Sequence, residues 1–270
     1  MTKWFHKCDL EWLKARQVCL TATDVKELLP FTKTGRKRTI DDETYLKVLS
    51  RKMAYISDDD CISTGSAARG HILEPYAIKA FNDSGVYPAT LYHWDDVVIT
   101  RDMHQYLGLA FSPDALGFEQ VNYERNYAFP VISPNQITDN KIKVIGEVKS
   151  YYPEKHLTSG YTPHGKHEER WQLATAMAVC DDIDEAYLIF YNPSLVLQLF
   201  VFVYTRVDLQ SEIETVLEVE DNWLMWFDNM YPTLPTSFIG TGAIDEEQRI
   251  IKEIVKKEEL NPEGEKSVIV

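Results

Sequence analysis

The sequence predicts an α/β fold, a β-sheet flanked by helices, forming one domain with additions at both ends. Three observations carry that expectation. The hydrophobic pattern changes along the chain, from helical spacing up to residue 82 to short apolar runs and partial alternation in the middle. The inferred order is helices, three strands, a helix, two strands and a helix, the interleaving that a sheet with covered faces requires. Finally, 270 residues with 44% hydrophobic, 12% aromatic and 26% charged side chains can bury a sizeable core. That balance excludes a disordered, collagen-like or low-complexity chain.

A first helix is expected over 9–16, with Trp12 and Leu13 facing inward. Thr21-Ala22-Thr23-Asp24 supplies N-cap residues for a second helix over 25–29, which Pro30 stops. A basic loop follows, with Lys33, Arg36, Lys37 and Arg38 around Gly35, and Asp41 then caps a helix reaching about Met53. Residues 66–82 form a long helix with Leu73, Ala77 and Phe81 on one face. Strands are expected over 94–100, 107–111 and 143–150, the last reading KVIGEVKS. Between Leu116 and Lys141 a polar stretch with Asn and Pro predicts a long hairpin excursion. An amphipathic helix over 168–179 precedes buried strands at 186–191 and 196–204, joined at Asn192-Pro193. A helix over 211–230 turns Val216, Leu217, Trp223 and Trp226 inward, and the chain ends in a charged helix and a loose end. The expected organisation is a domain over 1–206 and an acidic, mainly helical extension over 207–270, packed on the core.

No apolar run approaches the roughly 20 residues of a membrane helix, and the N-terminus is too polar for a secretory signal. Cys8, Cys19, Cys61 and Cys180 are scattered without a Cys-x-x-Cys pair. They read as reduced thiols of an intracellular protein, without a disulfide frame, a zinc site or an iron–sulfur cluster. The net charge of −14 is unevenly spread. Residues 1–52 carry 12 Lys/Arg against 7 acids, 53–206 carry 11 against 20, and 207–270 carry 5 against 15. A uniformly acidic chain would bind nucleic acid poorly; this basic first segment is either a part suited to phosphate or, with the acidic regions, simply a solvated surface and an acidic tail.

Glu147-Val148-Lys149 is the first candidate for chemistry. Alternate strand residues share a face, so Glu147 and Lys149 project together. With 42 acids and 18 lysines, about three acid-x-Lys triplets arise by chance, and the chain has three, beginning at Asp24, Asp139 and Glu147. Context separates the third, because charges within an apolar strand are costly unless they pair or bind something. An ordinary edge-strand ion pair is the alternative. Asp114, after Ser112-Pro113 at the end of an apolar strand, suits a turn, or a carboxylate aimed at the strand of Glu147 if the two strands pair. Glu74 precedes Pro75 inside a helical pattern, where proline removes a hydrogen bond; it is either a solvated residue of a kinked helix or a carboxylate leaning over the sheet. Gln172 is either surface or an orienting amide. His156, His164 and His167 lack metal spacing. No glycine-rich phosphate loop and no Gly-x-Ser-x-Gly elbow is present, which removes the NTPase, dehydrogenase and common hydrolase readings.

In order, Trp12-x-x-x-Arg16, Thr21-Ala22-Thr23-Asp24, Gly70-His-Ile-Leu-Glu74-Pro75-x-Ala77, Ser112-Pro113-Asp114-Ala115-Leu116, Gly146-Glu147-Val148-Lys149 and Gln172 form a recognisable series. Over Trp12 to about Tyr204 the chain resembles the YqaJ-type viral recombinases, the phage lambda exonuclease-like branch of the PD-(D/E)xK nucleases. The resemblance implies a central mixed sheet flanked by helices and Mg²⁺-dependent phosphodiester hydrolysis, with Mn²⁺ as a substitute. It implies Asp114, Glu147 and the Val148 main-chain carbonyl as metal ligands, with Glu74 holding a metal or its water. Lys149 would steady the attacking hydroxide or the charge on phosphorus, Gln172 would complete the catalytic set, and Arg16 and Thr23 would grip a DNA-end phosphate. The implied activity is 5′-end exonuclease action on linear duplex DNA, leaving a single strand for an annealing protein in phage-type recombination within a bacterial cytoplasm. Ring-forming relatives raise a homo-oligomer as a further expectation. A PD-(D/E)xK endonuclease and a non-catalytic DNA-end-binding or scaffold protein are the alternatives. Thr23 stands where serine is more usual, the excursion is longer than in compact members, and the acidic C-terminal part has no counterpart.

Overall fold

The structure, a computed structural model, describes residues 3–4, 13, 16–32, 35–54, 65–94, 97–100, 108–118 and 142–230. The chain divides into two compact units, Met1–Trp226 and Phe227–Val270. In chain order the described elements of the first unit are β1 (Lys3–Trp4), α1 (Ala22–Leu28), α2 (Asp42–Met53), α3 (Gly65–Ser84), β2 (Tyr92–His93), β3 (Val97–Thr100), β4 (Ala110–Phe111), β5 (Ala115–Phe118), β6 (Ile142–Lys149), α4 (Pro153–Gly160), α5 (Arg170–Val179), β7 (Glu185–Tyr191), β8 (Leu199–Thr205) and α6 (Gln210–Met230), whose last residues begin the second unit. Among the described residues no helix is long and apolar enough to cross a membrane.

Five strands form the central sheet in the order β2-β5-β6-β7-β8. It is mixed: β6 and β7 run parallel, and every other neighbouring pair is antiparallel. A parallel pair needs a crossover, and here α4 and α5 lie between β6 and β7 in the chain. Tyr187, Ile189, Tyr191 and Val148 pack with Ala77, Ile78 and Phe81 of α3. The alternate residues Ala186, Leu188 and Phe190 are equally buried, so both faces of β7 are covered, as a strand beside a crossover requires. A smaller antiparallel sheet, β1-β3-β4, stands apart.

The expected α/β plan with a mixed sheet and flanking helices is thus found. Thr21 precedes α1 as its N-cap, and the Asp41 side chain accepts from Thr44 N–H at 2.9 Å at the start of α2. α3 runs through Pro75, with Ala77 and Phe81 buried and Leu73 packed against the same cluster. Of the expected first helix, Leu13 and Arg16 are helical and the rest lies outside the described residues, as do Lys33, residue 107, 119–141 and the terminal 231–270.

Several elements differ from expectation. Ala115–Phe118 is a strand where a polar excursion was expected to open at Leu116. Its partner β6 is remote in sequence, so the pairing that makes it a strand is invisible locally. Trp94 falls outside β3, which starts at Val97, while Tyr92–His93 forms an unexpected short strand. The segment 153–160, for which no element was expected, is helix α4 with Pro153 at its first turn, a position where proline starts a helix rather than breaking one. His156, His164 and His167 serve as internal pins, bonding Leu197 O (3.0 Å), Val203 O (2.7 Å) and the Tyr204 hydroxyl (2.8 Å).

One close approach fixes the register that matters below. Ala115 of β5 pairs with Gly146 of β6, and a Cβ at Gly146 would lie 3.0 Å from Leu91 Cδ1 and 3.1 Å from Ala115 Cβ. Gly146→Val is therefore expected to cost about 1–3 kcal/mol of stability, read as a lower urea midpoint. An unchanged midpoint would show that the contact can relax.

Candidate active site

Two tertiary connections assemble the site. Asp114 immediately precedes β5, and the Ala115↔Gly146 pairing sets it beside Glu147. Its Oδ2 accepts a hydrogen bond from Val148 N–H at 2.8 Å, while its own carbonyl accepts from Trp94 N–H at 3.0 Å. The second connection brings in the N-terminal segment. Leu20 bridges Leu109 in parallel, with Leu20 N–H donating to Gly108 O and Ala110 N–H to Leu20 O, both at 2.9 Å. That clasp, together with the packing of α1 on α5, sets Arg16 and the 21–23 turn opposite the sheet end.

The result is a cavity of about 160 Å³ whose lining includes Arg16, Thr23, Asp114, Glu147 and Gln172. Five residues singled out in the sequence thus share one space. Asp114 and Glu147 are each only 9% exposed. Glu147 Oε1 accepts from Lys149 Nζ and from Gln172 Nε2, the latter at 2.7 Å. Lys149 and Glu147 project from the same face of β6, as strand alternation requires. Burial works against the Lys149 ammonium, but the Glu147 and Asp114 carboxylates outweigh it and hold its pKa above the ordinary lysine value.

Glu74 is not in the cavity lining. Its carboxylate meets His71 Nδ1 at 3.0 Å and lies 3.6 Å from His93 Nε2, and it is His71 that lines the cavity. Among the described residues no three His, Cys, Asp or Glu side chains converge on one point. The donor set at the cavity is the pair of carboxylates of Asp114 and Glu147. Hard oxygen donors with room for retained water suit Mg²⁺, which is commonly held by one or two carboxylates.

Three contributors escaped the sequence reading. His71 lies within the Gly70–Glu74 motif, but nothing local tells which side chain of a helix turn reaches a cavity. Ser112 Oγ is buried at the lining and has no hydrogen-bond partner among the described residues; a buried hydroxyl left so calls for a ligand or water. Lys26 donates to Gln172 Oε1 at 3.5 Å. Its own acid-x-Lys triplet had placed it at an ordinary helix start. Burial lowers its pKa, and the nearby Lys149 charge lowers it further.

No protein-family model matches the chain, and no curated protein does either. Among solved structures it is similar to LHK-Exo, an alkaline exonuclease from Laribacter hongkongensis, at 15% identity and a TM-score of 0.50, covering 84% of this chain and 100% of that one. The chain shares the fold of LHK-Exo. A structure of LHK-Exo in complex with dAMP gives 17% identity with the same TM-score and coverage.

Proposed function

We propose that the chain is a Mg²⁺-dependent deoxyribonuclease of the lambda exonuclease-like, PD-(D/E)xK kind, removing nucleotides from the 5′ end of linear double-stranded DNA. The observation that carries this reading is the single cavity in which two buried carboxylates face an arginine and hydroxyl groups, with a lysine bonded to one carboxylate. Few reactions need both signs of charge so placed. Phosphodiester hydrolysis needs carboxylates for a metal and cations for phosphate oxygens. The use of the same fold by an alkaline exonuclease, one structure of which holds dAMP, agrees with it.

Asp114, Glu147 and the Val148 carbonyl would hold Mg²⁺, which when bound supplies a water made nucleophilic near neutral pH. The chain's own residues do the rest. Gln172 fixes the Glu147 carboxylate through Oε1. Lys149 brings a positive point charge to the attacked phosphate. The Arg16 guanidinium and the Thr23 hydroxyl receive a terminal phosphate, where a planar fork suits bidentate contact. His71, which lines the cavity, binds Glu74. Water attacks phosphorus, the sugar oxygen leaves with a proton, and a mononucleotide is freed. The remaining strand would be a substrate for an annealing protein in phage-type recombination.

The test uses linear duplex with and without a 5′-phosphate beside a closed circle, each with Mg²⁺ or EDTA. Mononucleotide release is expected from linear DNA in Mg²⁺ alone, fastest with the 5′-phosphate. Cleavage of the circle would convert the reading to an endonuclease, and absence of hydrolysis with any divalent metal would leave an end-binding protein.

A further inference from the structure

A second cavity, of about 420 Å³, is linked to the first through the Lys26–Gln172 contact, since Lys26 lines the second and Gln172 the first. Its volume is that of a site for a small organic ligand, roughly 300–1,000 Å³. The lining has a distinct chemistry. Phe31 and Trp171 contribute aromatic surface, with Phe31 38% exposed although it follows immediately after α1 and Pro30. Arg170 and Glu212 satisfy each other at 2.9 Å, which leaves Lys26 and Lys166 against Glu168. Among the described residues the half-buried Lys26 ammonium has one hydrogen bond, at 3.5 Å, for three protons. The rim is basic as well. Phe31 bridges Lys37, Thr32 N–H donates to Arg36 O at 2.8 Å, and Gly35 takes φ +77°. Arg36 and Lys37, next in sequence to the lining residue Gly35, are exposed.

We propose that this cavity seats a nucleotide unit next to the cleavage position, its base against Phe31 and Trp171 and its phosphate at Lys26 and Lys166. The inference rests on the nuclease reading and extends it by giving the DNA a second point of attachment. Aromatic faces accept any base, and cations accept the phosphate whatever the sequence, as an enzyme that digests DNA of any sequence requires. The unit could belong to the strand or to a mononucleotide just released.

Single-stranded oligonucleotides carrying 5-iodouracil at successive positions, bound to the full chain in EDTA and irradiated, are expected to cross-link to the peptides that carry Phe31 and Trp171. Displacement of the cross-link by free dAMP assigns the cavity to the released product, and resistance to dAMP assigns it to the strand. Phe31→Ala and Lys166→Glu, tested separately by fluorescence anisotropy, are each expected to weaken binding by about tenfold. Lys79→Glu makes the same charge change outside either cavity lining and is expected to leave binding unchanged. Native-like binding by both cavity variants, with cross-links elsewhere, overturns the proposal. Cross-links at Phe31 and Trp171 in a chain that hydrolyses nothing would uphold this site and defeat the nuclease reading. Hydrolysis with no cavity cross-link would do the reverse.

Discussion

Lys149→Ala is expected to lower mononucleotide release from linear duplex DNA by about 10³-fold while the protein stays folded. The fold should survive because Glu147 keeps its bond from Gln172 at 2.7 Å, and Asp114 keeps its bond from Val148 N–H. What disappears is the ammonium bonded to Glu147, whose charge Glu147 and Asp114 jointly stabilise. Lys149→Arg is expected to restore little, since a planar fork does not fill the place of a compact ammonium. Release rates measured with Mg²⁺ beside a thermal unfolding scan check both halves. A native rate in the alanine variant would remove Lys149 from the chemistry.

The second large effect is on stability. Asp24 is 3% exposed and is met by Lys52 Nζ at 2.5 Å, Arg51 at 3.0 Å and Thr21 N–H at 2.9 Å. The Lys52 side chain is itself only 6% exposed. Asp24→Ala leaves that ammonium buried without its carboxylate and is expected to cost about 3 kcal/mol or more, measured by urea unfolding. The pH dependence has a defined sign. Burial would raise the Asp24 pKa, but Lys52 and the Thr21 hydrogen bonds overcome this and hold it below the usual aspartate value. Its contribution is thus fully present above the unfolded-state value, about 3.9, and is lost as pH falls through the lower folded value. The variant's deficit should therefore shrink below about pH 4. A deficit constant down to pH 2 would show that the ion pair is not its source.

Much of this was legible in the residues because it is local. Caps at Thr21 and Asp41, the apolar face of α3 and the apolar strand around Glu147 are all properties of a few consecutive side chains. So was the candidate set, since Arg16, Thr23, Asp114, Glu147 and Gln172 do meet in one cavity. What stayed hidden depends on contacts between distant segments. Leu116 is a strand residue because Ile145 lies across from it, and Phe31 lines a cavity because α5 and α6 supply the other walls. Glu74 illustrates a finer limit. The sequence marks a carboxylate on a proline-containing helix, but not that His71 binds it, with His93 close by, and that His71 reaches the cavity in its place.

The hydrogen bond from Val148 N–H to Asp114 makes a side chain serve as a rung of the ladder between neighbouring strands. One acid is thereby tied to the backbone next to the other, so the spacing of the pair is a property of strand register. A slip of one residue between the two strands would turn one acid to the opposite face and part the pair.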